Sequence, residues 1–258
     1  MTKRNAGILF SDRAAYGIIS PVKTMDMSIA AVIPAYRPDA RLSERIAELR
    51  EEGFARIVVV DDGSGPECRA VFDATAAVDG CTVLRLEANK GKGAALKTAF
   101  SHLLGKCPEV QGVVTADADG QHAPEDCRRV AEALAGSPRA LVLGTRDFRL
   151  RHVPFRSWWG NVWTSLFFSL LYFRRVPDTQ TGLRAFGKEW LARLADVPGS
   201  GYEYEMAMLC RWARSSADIV CVPIRTIYAD GNSASHFKPL RDTFRIYGAV
   251  LSNLFSSL

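Results

Sequence analysis

Five short apolar runs, each followed by a turn and then by a segment of helical period, organise the first 150 or so residues. Ser28 to Ile33 is apolar and is stopped by Pro34. Leu42 to Glu52 then carries Leu42, Ile46 and Leu49 at the spacing of one helix face, with Gly53 behind it. Arg56 to Val60 is a β-branched run closed by Asp61-Asp62-Gly63-Ser64-Gly65, and Val71 to Ala77 reads as a helix. Thr82 to Leu86 predicts a third strand, Gly91 opens a helix through Leu104, and Gly112 to Thr115 predicts a fourth strand. Asp126 to Leu134 is a further helix and Leu141 to Gly144 a fifth strand. Alternation of this kind predicts an α/β fold with a mostly parallel central sheet flanked by helices. Ligands bind such sheets at the carboxyl ends of the strands. Pro34-Ala35-Tyr36, Asp61-Asp62 and Asp117-Ala118-Asp119 all fall at such ends, so residues far apart in sequence are expected to converge.

The pattern changes in the second half. Ser157 to Phe173 carries no charge and holds Trp158, Trp159, Trp163, Phe167, Phe168 and Phe173, diluted by Gly160, Asn161, Thr164, Ser165 and Ser169. It falls short of the ~20 apolar residues that a bilayer span needs. It predicts a buried or groove-forming helix, with an interfacial helix as the alternative, because Trp favours the headgroup zone and the flanking arginines can meet lipid phosphate. Toward the end, Leu240, Phe244, Tyr247, Val250, Leu251, Leu254 and Phe255 fall on one face of a predicted amphipathic helix over 239–258, with Arg241, Asp242 and Arg245 opposite. That stripe suits a docking or homodimer helix, and a membrane surface second.

Composition narrows the picture. At 258 residues, 48% hydrophobic and 24% charged, the chain fits one sizeable α/β domain or two small ones. The net charge of +5 is mild but local: seven arginines and one aspartate lie between Arg139 and Arg175. Such a stretch suits phosphate-bearing substrate or anionic lipid. Nucleic acid is disfavoured, because a long apolar helix interrupts the basic residues. The six cysteines form no Cys-x-x-Cys pair and read as reduced core fillers, which excludes a zinc framework of that type. Residues 1–27 lack an apolar core with a small-residue cleavage site, so they are expected to be a flexible leader and not a secretory signal.

The candidate chemistry centres on Asp117-Ala118-Asp119-Gly120-Gln121. Two carboxylates one residue apart, delivered by a buried strand, suit Mg²⁺, which takes one or two protein carboxylates and fills its other positions with water and substrate phosphate. An exposed turn is the plainer alternative for the motif alone. Asp61-Asp62-Gly63-Ser64 reads either as an Asp-Gly turn or as a carboxylate site for ribose or base. Asn89-Lys90-Gly91-Lys92-Gly93, just before a helix, reads as a solvated turn or as a phosphate cradle. Asp178-Thr179-Gln180-Thr181-Gly182 reads as an Asx-type turn or as a working loop in which Asp178 is a general base or orients an acceptor. Tyr202-Glu203-Tyr204-Glu205 offers a carboxylate to the acceptor side, and also has a plain helix-dipole explanation. His122 reads more simply as a surface histidine than as a further ligand.

Taken in order, these motifs resemble family 2 glycosyltransferases with the GT-A fold, a Rossmann-like nucleotide-diphospho-sugar transferase architecture. The set is Ile33-Pro34-Ala35-Tyr36, Val60-Asp61-Asp62-Gly63-Ser64, the Asn89–Gly93 loop, Asp117–Gln121, Gly144-Thr145-Arg146 and Asp178–Gly182. Within the family, the chain is most similar to polyprenyl-phosphate sugar synthases of the dolichyl-phosphate mannose or glucose synthase type. The resemblance implies a catalytic domain over 28–238, with a nucleotide half to about residue 150 and an acceptor half after it. It implies that Pro34, Tyr36, Asp61, Asp62, Lys92 and Asp117 bind the nucleotide, and that Asp119 and Gln121 act through Mg²⁺ or Mn²⁺. Arg146 and Arg156 are expected near donor or acceptor phosphates, with Gln180, Thr181, Glu203 and Lys238 toward the acceptor. The implied reaction is inverting transfer from a UDP- or GDP-sugar to polyprenyl phosphate, by a protein held peripherally at the cytoplasmic face of a membrane. A hydroxyl acceptor with Asp178 as base is the alternative, and a non-catalytic membrane-surface subunit a second. A nucleotidyltransferase is disfavoured, since Pro34-Ala35-Tyr36-Arg37-Pro38 lacks the Gly-rich basic loop that reaction wants after the first strand. Two departures stand out: Arg37-Pro38 replaces the acidic residue that often follows Pro-x-Tyr, and Ser233–Lys238 poorly matches the basic segment of the mannose synthases.

Overall fold

The computed structural model describes residues 28–148, 155–227 and 239–254, with side chains described from Trp159 in the fifth helix and from Thr243 in the last. The expected leader, residues 1–27, and Lys238 lie outside the described residues, as does the side chain of Arg156.

A seven-stranded sheet runs in the order β3-β2-β1-β4-β6-β5-β7. Its strands are β1 (Ile29–Ala35), β2 (Arg56–Asp61), β3 (Cys81–Arg85), β4 (Gly112–Thr115), β5 (Leu141–Thr145), β6 (Arg184–Gly187) and β7 (Ile219–Pro223). The β1–β2, β2–β3, β1–β4 and β5–β7 pairs are parallel; β6 is antiparallel to both β4 and β5. The helices are α1 (Leu42–Glu51), α2 (Arg69–Ala76), α3 (Lys92–Lys106), α4 (Pro124–Gly136), α5 (Phe155–Tyr172), α6 (Leu191–Ala195), α7 (Glu203–Ala213) and α8 (Pro239–Ser252).

Successive side chains of a strand point to opposite faces, so each strand feeds two cores. Ala31, Ile33, Val59, Val114 and Val142 pack with α1, α2 and α4 through Leu42, Ile46, Phe72, Val130 and Leu134. Ala30, Val32, Val58, Val113 and Leu143 pack with α3 and α5–α8 through Leu96, Phe100, Phe168, Trp212 and Val250. Strands covered on both faces read as continuous apolar runs, which is why β1, β2, β4 and β5 are visible in sequence; β3, at the sheet edge, is only partly buried. All six cysteines are free; burial pushes the Cys127 and Cys210 thiols up to about 12, as suits core fillers.

The second half holds elements that the apolar pattern did not predict. Residues from Arg184 form the antiparallel β6, hidden by a buried arginine in mid-run. Ile219–Pro223 forms an edge strand that the sequence reading passed over. Both strands join the sheet begun by the first half, so residues on either side of 150 share one core. In α8 the apolar face is rotated from the expected one. Ile246, Ala249, Val250 and Asn253 are buried, whereas Phe244 and Leu251 are exposed. The inner face is fixed by Tyr172 Oη donating to Val250 O at 2.7 Å and Arg211 Nε donating to Asn253 Oδ1 at 2.8 Å.

Candidate active site

The carboxyl ends of β1, β2 and β4 lie side by side, and backbone bonds lock their loops together. Asp62 N donates to Ala35 O at 2.9 Å, and Arg37 N donates to Ser64 Oγ at 2.9 Å. Asp61 Oδ1 accepts from Ser64 N at 2.8 Å. Gly63 has φ +67°, and a Cβ there would collide with the backbone of Ala88 and Asn89, so only glycine lets the two loops meet. Pro34 and Tyr36 are half-buried at this junction, with the Arg37 guanidinium 5.4 Å from the Tyr36 ring.

Asp62 has a further task. Its Oδ1 accepts from Lys90 N and its Oδ2 from Gly91 N, both at 2.8 Å. Burial raises its pKa, and these two donors only partly offset that. Both oxygens of Asp62 thus hold the loop that leads into α3. In the loop read as a phosphate cradle, the N–H groups of Lys90 and Gly91 are thus bonded to Asp62, and that of Ala94 to Ser200 O at 3.0 Å.

Lys92, the first residue of α3, turns its ammonium inward. Nζ lies 2.5 Å from Asp117 Oδ1 and 2.7 Å from Glu205 Oε2. Burial works against the ammonium, but the two carboxylates outweigh it and raise the pKa above that of ordinary lysine. Asp117 is likewise opposed by burial and rescued by Lys92 and by His122, whose Nε2 is 3.3 Å from Asp117 Oδ2; its carboxyl is held well below the usual carboxylate range. About 30% of the Asp117 side chain remains accessible. His122 itself is buried, not at the surface as expected, and its Nδ1 has no partner.

Asp119 differs. Its Oδ1 accepts from Gln121 N at 3.0 Å, and burial followed by the neighbouring charge of Asp117 pushes its pKa up. A half-buried carboxylate facing a second one is disfavoured in its charged form unless a cation is near. Among the described residues no three His, Cys, Asp or Glu side chains cluster as a metal cage. The donor set therefore fits a hard divalent ion that draws most of its ligands from water and a diphosphate.

The loop 178–182 closes the other side. Asp178 is fully buried. Its Oδ2 accepts from Arg146 Nε at 2.7 Å and from Arg146 N at 3.3 Å; its Oδ1 accepts from Arg146 Nη2 and from Gln180 N, each at 3.2 Å. Both oxygens are engaged, a geometry that suits a clamp on Arg146 better than a base open to a hydroxyl. Thr181 is buried and accepts from Leu183 N through its Oγ1; Gln180 is exposed, with Nε2 3.3 Å from Thr164 Oγ1. The polar residues that dilute α5 face this loop: Asn161 Nδ2 donates to Pro177 O at 2.9 Å, and Ser165 Oγ lies 3.4 Å from Thr179 Oγ1. Gly182 sits so close to Asp117 that a Cβ would strike its carboxylate. The β4 loop and the loop 178–182 therefore touch directly, reinforced by Thr115 Oγ1 donating to Gly182 O at 2.8 Å.

Glu203 stands apart. Its Oε1 accepts from Ser200 N at 3.1 Å and Gly201 N at 3.0 Å, tying down the start of α7. Burial would raise its pKa, but these donors lower it overall. The helix-start explanation accounts for it, and Glu205 is the residue of the pair that reaches the centre.

Sequence reasoning missed three supporting residues. Glu205 supplies the second partner of Lys92. Arg184 is wholly buried and donates to Thr181 O at 2.9 Å, Thr179 O at 3.2 Å and Glu205 O at 2.6 Å, knitting the loop to α7. Arg45 donates to Ala118 O at 2.8 Å while paired with Asp39, so it braces the β4 loop. An arginine inside an apolar tetrad was the one available signal for Arg184. Beside that brace a cavity of about 190 Å³ opens between α1 and the β4–α4 loop. It is smaller than the usual ligand pocket, and its lining includes neither Lys92 nor the loop 178–182.

The outward face of α5 carries Trp159, Val162, Trp163, Leu166, Leu170 and Phe173 just beyond its end, all exposed, with Phe173 90% accessible. Phe168 and Tyr172 face the core instead. Among the described residues no helix is long and apolar enough to cross a membrane.

The family model for glycosyl transferase family 2 matches residues 30–193. The chain is 28% identical to a UDP-N-acetylglucosamine–dolichyl-phosphate N-acetylglucosaminyltransferase of Methanococcus voltae, over 81% of this chain and 89% of that one. It is 31% identical to a polyprenol monophosphomannose synthase of Mycolicibacterium smegmatis, over 75% of each. Among solved structures, glucosyl-3-phosphoglycerate synthase from Mycobacterium tuberculosis, in complex with Mn²⁺, UDP and phosphoglyceric acid, superposes with a TM-score of 0.67 at 18% identity, covering 90% of this chain and 80% of that one. That likeness is one of fold.

Proposed function

Because the chain belongs to glycosyl transferase family 2, we propose that this GT-A glycosyltransferase moves a sugar from a UDP- or GDP-sugar to polyprenyl phosphate, with inversion, using Mg²⁺ or Mn²⁺. The observation that carries the reading is the inequality of the two β4 carboxylates. Asp117 is claimed by Lys92 and His122, while Asp119 has one backbone donor and a raised pKa. Asp119, with Gln121, would hold the ion against the donor diphosphate, and Asp117 with Pro34, Tyr36 and Asp61 would border the nucleoside. When bound, the ion neutralises charge that develops on the departing diphosphate.

In the single displacement, a phosphate oxygen of the acceptor attacks the anomeric carbon as the bond to the diphosphate oxygen breaks. A phosphate acceptor arrives as an anion, so it needs no base. The enclosure of Asp178 by Arg146 and Gln180 supports this acceptor over a hydroxyl that would have to lose a proton. The roles of Asp178 and Arg146 then fall together: the carboxylate aims the guanidinium, and the guanidinium meets phosphate. Arg156, one turn before the exposed apolar stripe, and Lys238 would serve acceptor or headgroup phosphate.

The open face of α5 supports a lipid acceptor and peripheral contact with a membrane surface, which we place at the cytoplasmic side. Trp159 and Trp163, their rings 5.5 Å apart, offer the amphipathic surface that headgroup regions favour. The test is direct. Enzyme, Mn²⁺, labelled UDP- and GDP-sugars and polyprenyl phosphate should yield an organic-extractable product. Label found only on a soluble acceptor would end the lipid assignment.

A further inference from the structure

The Lys92 ammonium is shared. It reaches Asp117 Oδ1 at 2.5 Å and Glu205 Oε2 at 2.7 Å, and Glu205 keeps a second oxygen, Oε1, buried and without a partner. Glu205 is 7% exposed, and an acidic group with one unused oxygen in that position is costly to keep. A neutral side chain of similar shape would let Lys92 pair with Asp117 alone. The carboxylate therefore calls for an electrostatic explanation.

The charges supply one. With one partner, Lys92 would cancel Asp117 and leave Asp119 as the only uncompensated charge beside it. With two partners, the cation is divided: Lys92, Asp117, Glu205 and Asp119 sum to −2 when all three carboxylates are ionised, and to −1 with the buried Arg184 guanidinium beside Glu205, so the surplus stays negative. We propose that Glu205 is a positioning residue that acts through Lys92: by drawing the ammonium partly off Asp117, it leaves the Asp117–Asp119 pair negative enough to take a divalent ion with the donor. The inference rests on the proposed donor site. Glu205 also ties this charge balance to the acceptor side, because its backbone carbonyl accepts from Arg184, which holds Thr179 O and Thr181 O.

The test uses Mn²⁺ with UDP or GDP, read by the loss of the free-ion electron paramagnetic resonance signal, with thermal melting to confirm folding. Wild type must bind Mn²⁺ with one of the two nucleotides; if it binds with neither, the donor reading itself falls. Given binding, Glu205→Gln should raise the half-saturating Mn²⁺ concentration roughly three- to tenfold, as expected for a negative charge removed from a site of intermediate dielectric. Lys92→Gln should shift it the opposite way, to a lower concentration, because the competing cation is gone. A structural role alone would weaken binding in both variants. Shifts in the same direction, or an unchanged midpoint in Glu205→Gln, overturn the proposal. If one variant loses its cooperative melting transition, the sign of the shift in the other decides.

Discussion

Two buried ion clusters flank the candidate site, and they are built differently. In one, Arg146 meets Asp178 through three donors, so that both carboxylate oxygens are engaged. In the other, Lys92 is shared between Asp117 and Glu205, with Asp119 close behind. A carboxylate bonded through both oxygens to one arginine fixes where that guanidinium points. A lysine shared between two carboxylates leaves negative charge around it, which favours a cation nearby. The same residue types thus give a clamp in one place and a divided cation in the other.

The sharpest way to break this comparison is Asp178→Ala. It takes a buried carboxylate from the Arg146 guanidinium, whose side chain is only 16% exposed, and should cost about 3–5 kcal/mol in denaturant unfolding. A loss under about 1 kcal/mol would remove the clamp. Asp119→Asn should do the reverse. It relieves repulsion from Asp117, so the melting temperature should hold or rise, while turnover should fall by about 100-fold or more, the scale of losing one preorganised charge-stabilising group. If instead Asp119→Asn unfolds the protein, the two clusters are alike after all.

Smaller effects follow away from the clusters. Leu166→Ser with Leu170→Ser touches an exposed face and should leave stability within about 0.5 kcal/mol. It should weaken sedimentation with anionic lipid vesicles by about tenfold, since each leucine offers up to ~2 kcal/mol of apolar burial. Unchanged vesicle binding would assign that face elsewhere. Glu203→Gln should cost about 1 kcal/mol or less at neutral pH. The folded pKa of Glu203 is lowered, so its contribution is present above the ordinary glutamate range and is lost as pH falls through the folded value. The stability gap between wild type and Glu203→Gln should therefore close in acid; a gap that persists would show that the donors to Glu203 do not depend on its charge.

What the sequence made legible was local. The strands β1, β2, β4 and β5 announced themselves because burial on both faces makes them apolar throughout, the edge strand β3 through its apolar Val83 and Leu84, and Asp117 and Asp119 stood out because a strand delivers them to a glycine turn. The ordered motif set then pointed to the right family. What stayed hidden was tertiary. No spacing rule joins Lys92 to Glu205, or Asp39 to Arg45 across the start of a helix. Arg184 broke the apolar pattern that would have shown β6, because its charge is satisfied by carbonyls from other segments. Phe244 and Leu251 misled in α8: periodicity marks an apolar face, but packing on α7 chose a neighbouring one. The protein partners of Lys92 and Asp62, carboxylates for one and backbone N–H groups for the other, were equally hidden, because residue type alone does not encode which neighbour a side chain meets.

The place of β6 bears on how the molecule comes into being. β4 and β5 flank it without pairing to each other, so a nascent chain that ends near residue 150 presents two unfilled central edges where the finished sheet has none. Such edges invite pairing with other chains. The first 150 residues are consequently not a separable module, and closing their sheet means bringing β6 back to β4 across α4, β5 and α5, at a loop-closure cost that slows folding. During synthesis, the segment that follows the loop 178–182 is also the segment that retires the aggregation hazard.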